Sequence, residues 1–290
     1  MKFAHLCQDF WWTREDSSDK WPMAIAQGEA CPSCNENRED FLIDPVPRQL
    51  EAWDMVREKR YVLFGGARGG SKSWWLRWTL VYLLIDWYHR KGLKKVRVGL
   101  FCEDYPTLED RQISKIEIEF PPWMGKWNGQ RNEFRLCNDL GGGIIACRNL
   151  DNPSKYQSTE LAAIAIDEAT KNPVSIFDTL RGSLRWPGID NTKFLLASNP
   201  GGQGHLWIKA YFIDGEFPKE LQRRADQFGY VKALVSDNPH NAESYIEELG
   251  TLTEKMRRAW LEGDWDVFEG QVFEEWRRDL HVVEEFDHTV

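Results

Sequence analysis

The sequence predicts an α/β fold, a mostly parallel sheet with helices on its faces, and three stretches carry that prediction. Tyr61 to Trp78, YVLFGGARGGSKSWWLRW, reads as a short apolar strand, a glycine-rich turn and a helix opening near Lys72. Leu161 to Thr170, LAAIAIDEAT, reads as a buried strand with two carboxylates, Asp167 and Glu168, at its carboxyl end. Lys193 to Gly202, KFLLASNPGG, reads as a third strand that runs into a glycine turn. Apolar strands alternating with helical patterns belong to parallel sheets with crossover helices.

The turn matches the phosphate-binding pattern G-x-x-x-x-G-K-[ST] from Gly66 to Ser73, except that Ser71 stands where the second glycine belongs. Gly66, Gly69 and Gly70, with Ala67 and Arg68 between them, permit a backbone whose N–H groups converge on a phosphate. The start of the following helix adds unpaired donors and a positive dipole end. Lys72 would reach the β- and γ-phosphates, and the Ser73 hydroxyl would ligate Mg²⁺. Taken alone, the stretch also fits a turn that binds nothing. The acidic strand weighs against that. Asp167 would hold the metal and Glu168 would align a water as general base, and two carboxylates closing an apolar strand are costly unless solvated, paired or metal-bound.

The remaining elements follow in chain order. Residues 1–40 are polar and read as an irregular extension, with Cys31 and Cys34 forming a C-x-x-C pair. That pair is half a zinc site, with His5 and Cys7 upstream; two unrelated thiols in a turn is the competing reading. Leu50, Trp53 and Val56 are spaced as on a helix, and Gln49 sits at its start. The Gln49 amide could read an adenine edge or face solvent, and the residues alone leave both open. WWLRWTLVYLLIDWYHR is a long apolar helix, KKVRVGLFCED a strand, and Ile113 to Phe120 fits helix or strand equally. Glu133 to Leu150 looks like two strands joined across Gly141 to Gly143. Ser198 and Asn199, after the third strand, could sense a γ-phosphate or form an ordinary polar turn. The carboxyl part, 236–290, reads as a helical lid or linker, with helices near Ala242 to Leu249 and Glu254 to Leu261.

The net charge of −9, from 37 basic and 46 acidic residues, argues against a diffuse nucleic-acid binder but leaves room for a localised patch. No apolar run is long enough to span a membrane. The 15 tryptophans point to extensive aromatic packing, and the six cysteines read as reduced thiols of a cytosolic chain.

Four stretches together, GGARGGSKS (65–73), IAIDEAT (164–170), LASNPGG (196–202) and GDWDVFEG (263–270), resemble the ATPase half of tailed-phage terminase large subunits. The resemblance covers about residues 41–280 and implies a RecA-like P-loop NTPase sheet of the additional-strand type, with an ATPase core over 41–235. It implies ATP and Mg²⁺ as cofactors, with Lys72, Arg68 and Glu168 catalytic, Ser73 and Asp167 on the metal, and Gln49 on adenine. It further implies a motor that moves double-stranded DNA into a procapsid, working in the host cytoplasm as a homo-oligomeric ring, read as a pentamer. Portal protein and terminase small subunit would be its partners. An arginine acting in trans could come from Arg148, Arg181 or Arg185, although surface salt bridging is the preferred reading of Arg181 and Arg185. The family normally continues into a nuclease domain, and this sequence ends before one could form. The domain is then either cut off or on another polypeptide, and no DNA cleavage is expected of this chain by itself. A helicase-like ATPase and a non-hydrolysing nucleotide-binding adaptor are the competing functions.

Overall fold

The computed structural model describes residues 2–5, 24–26, 42–43 and 45–267, with positions 123 and 242 excepted. Strands β1 (Lys2–His5), β2 (Ala24–Ala26) and β3 (Leu42–Ile43) form a three-stranded antiparallel sheet in the order β2-β1-β3. The expectation of an irregular stretch over 1–40 is therefore amended. Strands of two to four residues are too short for alternation to register in the sequence. Cys7, Cys31 and Cys34, and with them the zinc expectation, lie outside the described residues, as does the linker beyond Val267.

Helix α1 (Pro47–Glu58) opens with proline at its first position, where the missing N–H costs nothing. It leads into β4 (Tyr61–Gly66), buried along its whole length, and then α2 (Lys72–Lys91). Gly92 closes α2 in the left-handed region at φ 65°, its N–H returning to the Tyr88 carbonyl at 2.8 Å. β5 (Arg97–Cys102) is followed by α3 (Tyr105–Leu108), a single π-helical turn over Glu109–Ile113, and α4 (Ser114–Glu119). The segment open between helix and strand is thus helical. β6 (Gly125–Asn128), β7 (Glu133–Leu136) and β8 (Ile144–Asn149) run antiparallel in succession, as the glycine signal between the last two predicts. Then come β9 (Ala163–Ile166), α5 (Val174–Arg181), β10 (Lys193–Ser198), α6 (His205–Ile208), β11 (Phe228–Ala233), α7 (Glu243–Gly250) and α8 (Glu254–Trp260).

The main sheet has eight strands in the order β11-β4-β10-β9-β5-β8-β7-β6. The six from β11 to β8 are parallel, and the β6–β7 hairpin adds an antiparallel edge. β10 stands between β4 and β9, which is the additional strand of the predicted fold type. Parallelism puts the carboxyl ends of β4, β10 and β9 side by side, and the glycine-rich turn, Asn199 and the acidic pair therefore meet at one edge.

Each face carries its own core. On one, α2 contributes Trp75, Leu76, Leu80 and Leu84 against Val62, Phe64, Leu100 and Ile145. Within it, the Trp53 indole N–H donates to Thr79 Oγ1 at 2.7 Å, so the burial of this tryptophan leaves no polar atom unpaired. On the other, Phe177 of α5 packs edge-on to Tyr61 and Phe194, at centroid distances of 5.7 and 4.9 Å. Among the described residues no helix is long and apolar enough to cross a membrane. Replacing Phe177 with alanine removes a fully buried ring, so a loss of about 3–5 kcal/mol is expected in denaturant melts.

Candidate functional site

The turn after β4 is built around backbone positions closed to most residues. Gly66 and Gly69 have φ of 138° and 76°, and Ser71 is left-handed at φ 54°. Serine in that conformation costs roughly 1–2 kcal/mol relative to the glycine the motif expects. Two bonds hold it there: the Ser71 carbonyl accepts from the Trp75 N–H at 3.1 Å and from Gln49 Nε2 at 3.1 Å. Gln49 is buried, and its Oε1 accepts the Val46 N–H at 2.9 Å. The solvent-facing alternative for this residue is thus overturned. Gln49 ties α1 to the loop at the rim of the cleft.

Lys72 folds back under the loop. Its ammonium donates to the Ala67 carbonyl and to Asn199 Oδ1, the latter at 2.9 Å. Burial pulls the Lys72 pKa down to about 8, against the opposing pull of Glu168 and Asp167. One turn on, Ser73 Oγ donates to Asp167 Oδ2 at 2.8 Å. Burial, and then the neighbouring Glu168 charge, raise the Asp167 carboxyl above its usual range. Glu168 itself is held left-handed at φ 49°, a strained setting for a side chain with Cβ.

Sequence reading missed the partners of these two carboxylates. Arg111 Nη1 donates to Glu168 Oε1 at 2.6 Å, and the adjacent Gln112 donates from Nε2 to Asp167 Oδ2 at 2.6 Å. Both sit in the π-helical turn after β5, a deformation common at functional sites. Gln112 Oε1 in turn accepts from Arg77 at 2.9 Å, and Arg77 is paired with Glu119 at 2.6 Å. No local motif marks LEDRQIS. Only the pairing of β5 beside β9 brings it to the acidic pair, so the available signal was topological.

These groups line a cleft of about 780 Å³. Of the residues singled out in the sequence, Gln49, Arg68, Gly69, Gly70, Ser71, Lys72, Ser73, Asp167, Glu168 and Asn199 face it, and Gly66, Ala67 and Ser198 do not. The Ala67 N–H is spent on the Ala233 carbonyl at 2.8 Å, and Ser198 Oγ bonds Thr170 Oγ1 at 2.7 Å as a strut behind the acidic turn. Asn199 spans the cleft floor, accepting from Lys72 and directing Nδ2 to Glu168 at 3.4 Å. The three arginines considered for action in trans are engaged outside the cleft: Arg148 with Glu133, Arg181 with Asp178, Arg185 with Glu160.

The carboxyl segments close around the loop. Asn238 and Asn241 donate to the Gly69 carbonyl at 2.8 and 3.1 Å. The Arg68 guanidinium stacks over the Trp260 ring at 3.4 Å, and the Arg68 backbone N–H donates to the Trp260 carbonyl at 2.7 Å. Past α8 the chain crosses directly beneath the loop: a Cβ on Gly263, whose φ is 61°, would meet the Ala67 nitrogen at 2.6 Å. His205 pins that crossing. Its Nδ1 accepts the Gly201 N–H at 3.0 Å, so Nε2 carries the proton and donates to the Trp265 carbonyl at 3.0 Å.

The donor set suits a hard divalent cation with a polyphosphate. Ser73 Oγ and Asp167 Oδ2 lie side by side as oxygen ligands of the kind Mg²⁺ takes, beside a buried ammonium. Among the described residues no cluster of three or more His, Cys, Asp and Glu side chains forms a protein-only metal cage.

No protein-family model matches the chain, and no curated protein matches it. Solved structures do. The large terminase of a thermophilic bacteriophage superposes with a TM-score of 0.61 and 15% identity over 77% of this chain and 54% of that one. The same protein in complex with ATP-γ-S gives 0.61 and 15%, over 76% and 52%. The large terminase ATPase domain of a Thermus phage gives 0.53 and 18%, over 77% of this chain and 94% of that domain. The chain thus has the fold of phage large-terminase ATPase domains, and it matches about half the length of the thermophilic bacteriophage's protein.

Two outcomes follow from the crossing segment. Gly263→Ala places a methyl against the loop backbone and adds left-handed strain; thermal melts are expected to drop by several degrees. Burial lowers the His205 pKa to about 4 from 6.5. Between those values the unfolded chain binds a proton that the folded chain refuses, so stability falls as pH drops from 6.5 towards 4. Urea titrations across that range check this, and in His205→Gln the slope should flatten.

Proposed function

We propose that this chain is the ATPase motor of a viral terminase, hydrolysing Mg-ATP to drive double-stranded DNA into a procapsid. The observation that carries the reading is the set of Lys72, Ser73, Asp167, Glu168 and Asn199, joined across the carboxyl ends of three adjacent parallel strands. The fold shared with terminase ATPase domains supports it, as does the thermophilic bacteriophage's terminase having been solved with ATP-γ-S.

In this reading Lys72 leaves its internal acceptors for the β- and γ-phosphates, and the free N–H groups of the loop and of the α2 start hold their oxygens. Ser73 and Asp167 would hold Mg²⁺, which when bound would supply positive charge against the polyphosphate. Glu168 accepts a proton from the water that attacks the γ-phosphorus. The bond to the β–γ bridging oxygen breaks as the new P–O bond forms, giving ADP and phosphate. Arg111 positions the Glu168 carboxylate, and Asn199 links that carboxylate to Lys72, so loss of phosphate is felt at both. Arg68 faces the cleft and can move from Trp260 to the γ-phosphate. Adenine lies toward Gln49. The active form is a ring, read as a pentamer, docked on a portal in the host cytoplasm, with the terminase small subunit and DNA as partners. The Asp167–Glu168 pair, each with a fixed partner, favours hydrolysis over a passive adaptor role.

Phosphate release from Mg-ATP at rising protein concentration tests this. Turnover that climbs faster than linearly and disappears in Glu168→Gln is expected; bound ATP with no release at any concentration would sink the motor reading. Arg111→Ala should lower kcat by about tenfold to a hundredfold with KM little changed, the worth of one charge-assisted hydrogen bond. Arg111→Lys should recover part of that loss, which a purely structural role would not allow. With the Lys72 pKa near 8, kcat/KM should fall about tenfold per pH unit once pH passes 8, because the neutral amine no longer holds phosphate. On the acid side it should fall at a higher pH than an ordinary carboxylate sets, because Asp167 must be ionised to hold the metal.

A further inference from the structure

The second core, built on α5 and the aromatic cluster, covers its face of the sheet only as far as Phe101 and Leu161. β8, β7 and β6 continue past it. Their opposite side chains, Ile145, Cys147, Phe134, Leu136 and Trp127, pack toward α2 and α4, so the uncovered face presents the alternate set. Register places Arg97, Ile144, Arg135 and Lys126 in one row across β5, β8, β7 and β6. Three strand spacings of about 4.8 Å make that row roughly 14 Å long. Arg135 and Lys126 are exposed and have no carboxylate partner among the described residues. At the inner end of the face, Arg97, Arg148 and Lys155 line a recess of about 210 Å³. The acid of this face, Glu133, is buried and already shared between Arg97 at 2.5 Å and Arg148 at 2.8 Å.

We propose that this sheet face is a contact surface for the phosphate backbone of duplex nucleic acid. Two neighbouring exposed cations without a carboxylate partner, Arg135 and Lys126, beside the Glu133-paired Arg97 and Arg148, on a chain of net charge −9 mark a place that meets a polyanion. Phosphates along one strand of a duplex recur every ~3.4 Å of axis, so a row of this length spans about four of them, and Arg135 and Lys126 can each neutralise one. A protein partner would want an apolar centre; the apolar residue within the row, Ile144, is buried, and the adjoining row of Gly99, Ala146, Glu133 and Asn128 has no large exposed apolar side chain. The choice of nucleic acid over an acidic protein rests on the motor reading above. Such contacts grip the backbone without reading sequence, as a translocating machine requires.

The test is binding of a fluorescent DNA duplex by the full 290-residue chain without nucleotide, measured over a range of salt. Lys126→Gln with Arg135→Gln should weaken binding about tenfold at low salt and lower the slope of log K against log salt by about 1.8, or 0.9 per contact. Lys155→Gln should act in the same direction, and Lys219→Gln, outside the face, should not. Basal Mg-ATP hydrolysis should be unchanged in the double variant, which also reports that it folds. Unchanged DNA binding and slope, or a wild-type chain that binds no duplex, overturns the proposal. So does a double variant that loses self-association in sedimentation while keeping DNA, since the face would then join copies of the chain. Hydrolysis and duplex binding are read separately, so a failed motor reading and a failed contact surface give different results.

Discussion

The buried ammonium of Lys72 is the constraint on which the rest of the site depends. A charge so far from water needs acceptors, and here the Ala67 carbonyl and Asn199 Oδ1 supply them while Asp167 and Glu168 oppose its loss of the proton. Each of those groups stands at the end of a different strand or in the turn itself. The order β4-β10-β9 is therefore the arrangement that lets one cation be shared among three chain segments. Move β10 out from between its neighbours, and Asn199 no longer spans Lys72 and Glu168.

The same economy governs the acidic pair. Two adjacent carboxylates repel, and burial raises the inner one further, so each needs its own donor. Arg111 and Gln112, adjacent in sequence, meet Glu168 and Asp167, also adjacent in sequence. Both come from one π-helical turn: Arg111 lines the cleft, and the fully buried Gln112 reaches the inner carboxylate.

Much of the centre was legible because its signals are local. The runs YVLF, AIAI and KFLLAS are apolar and bounded by glycine or acid, and their strands begin and end close to where the sequence places them. Gly66 to Ser73 announces itself through backbone needs that few residues meet. What could not be read depends on distance in sequence. Gln112 serves Asp167 across 55 positions, and Gln49 reaches Ser71 across 22. Ser198 sits beside Asn199 in the chain, yet alternation sends one side chain behind the acidic turn and the other into the cleft. β6, with the sequence GKWN, carries too little apolar character to stand out, and it becomes a strand because β7 offers it an edge.

The crossing of Gly263 beneath Gly66 and Ala67 has a mechanical meaning. Two backbones in contact, with no side chain between them, have no soft layer to absorb displacement. Any displacement of the loop is therefore passed directly to the crossing segment. The stacked Arg68 and Trp260 grip that segment on one side, and His205 holds it at Trp265 on the other.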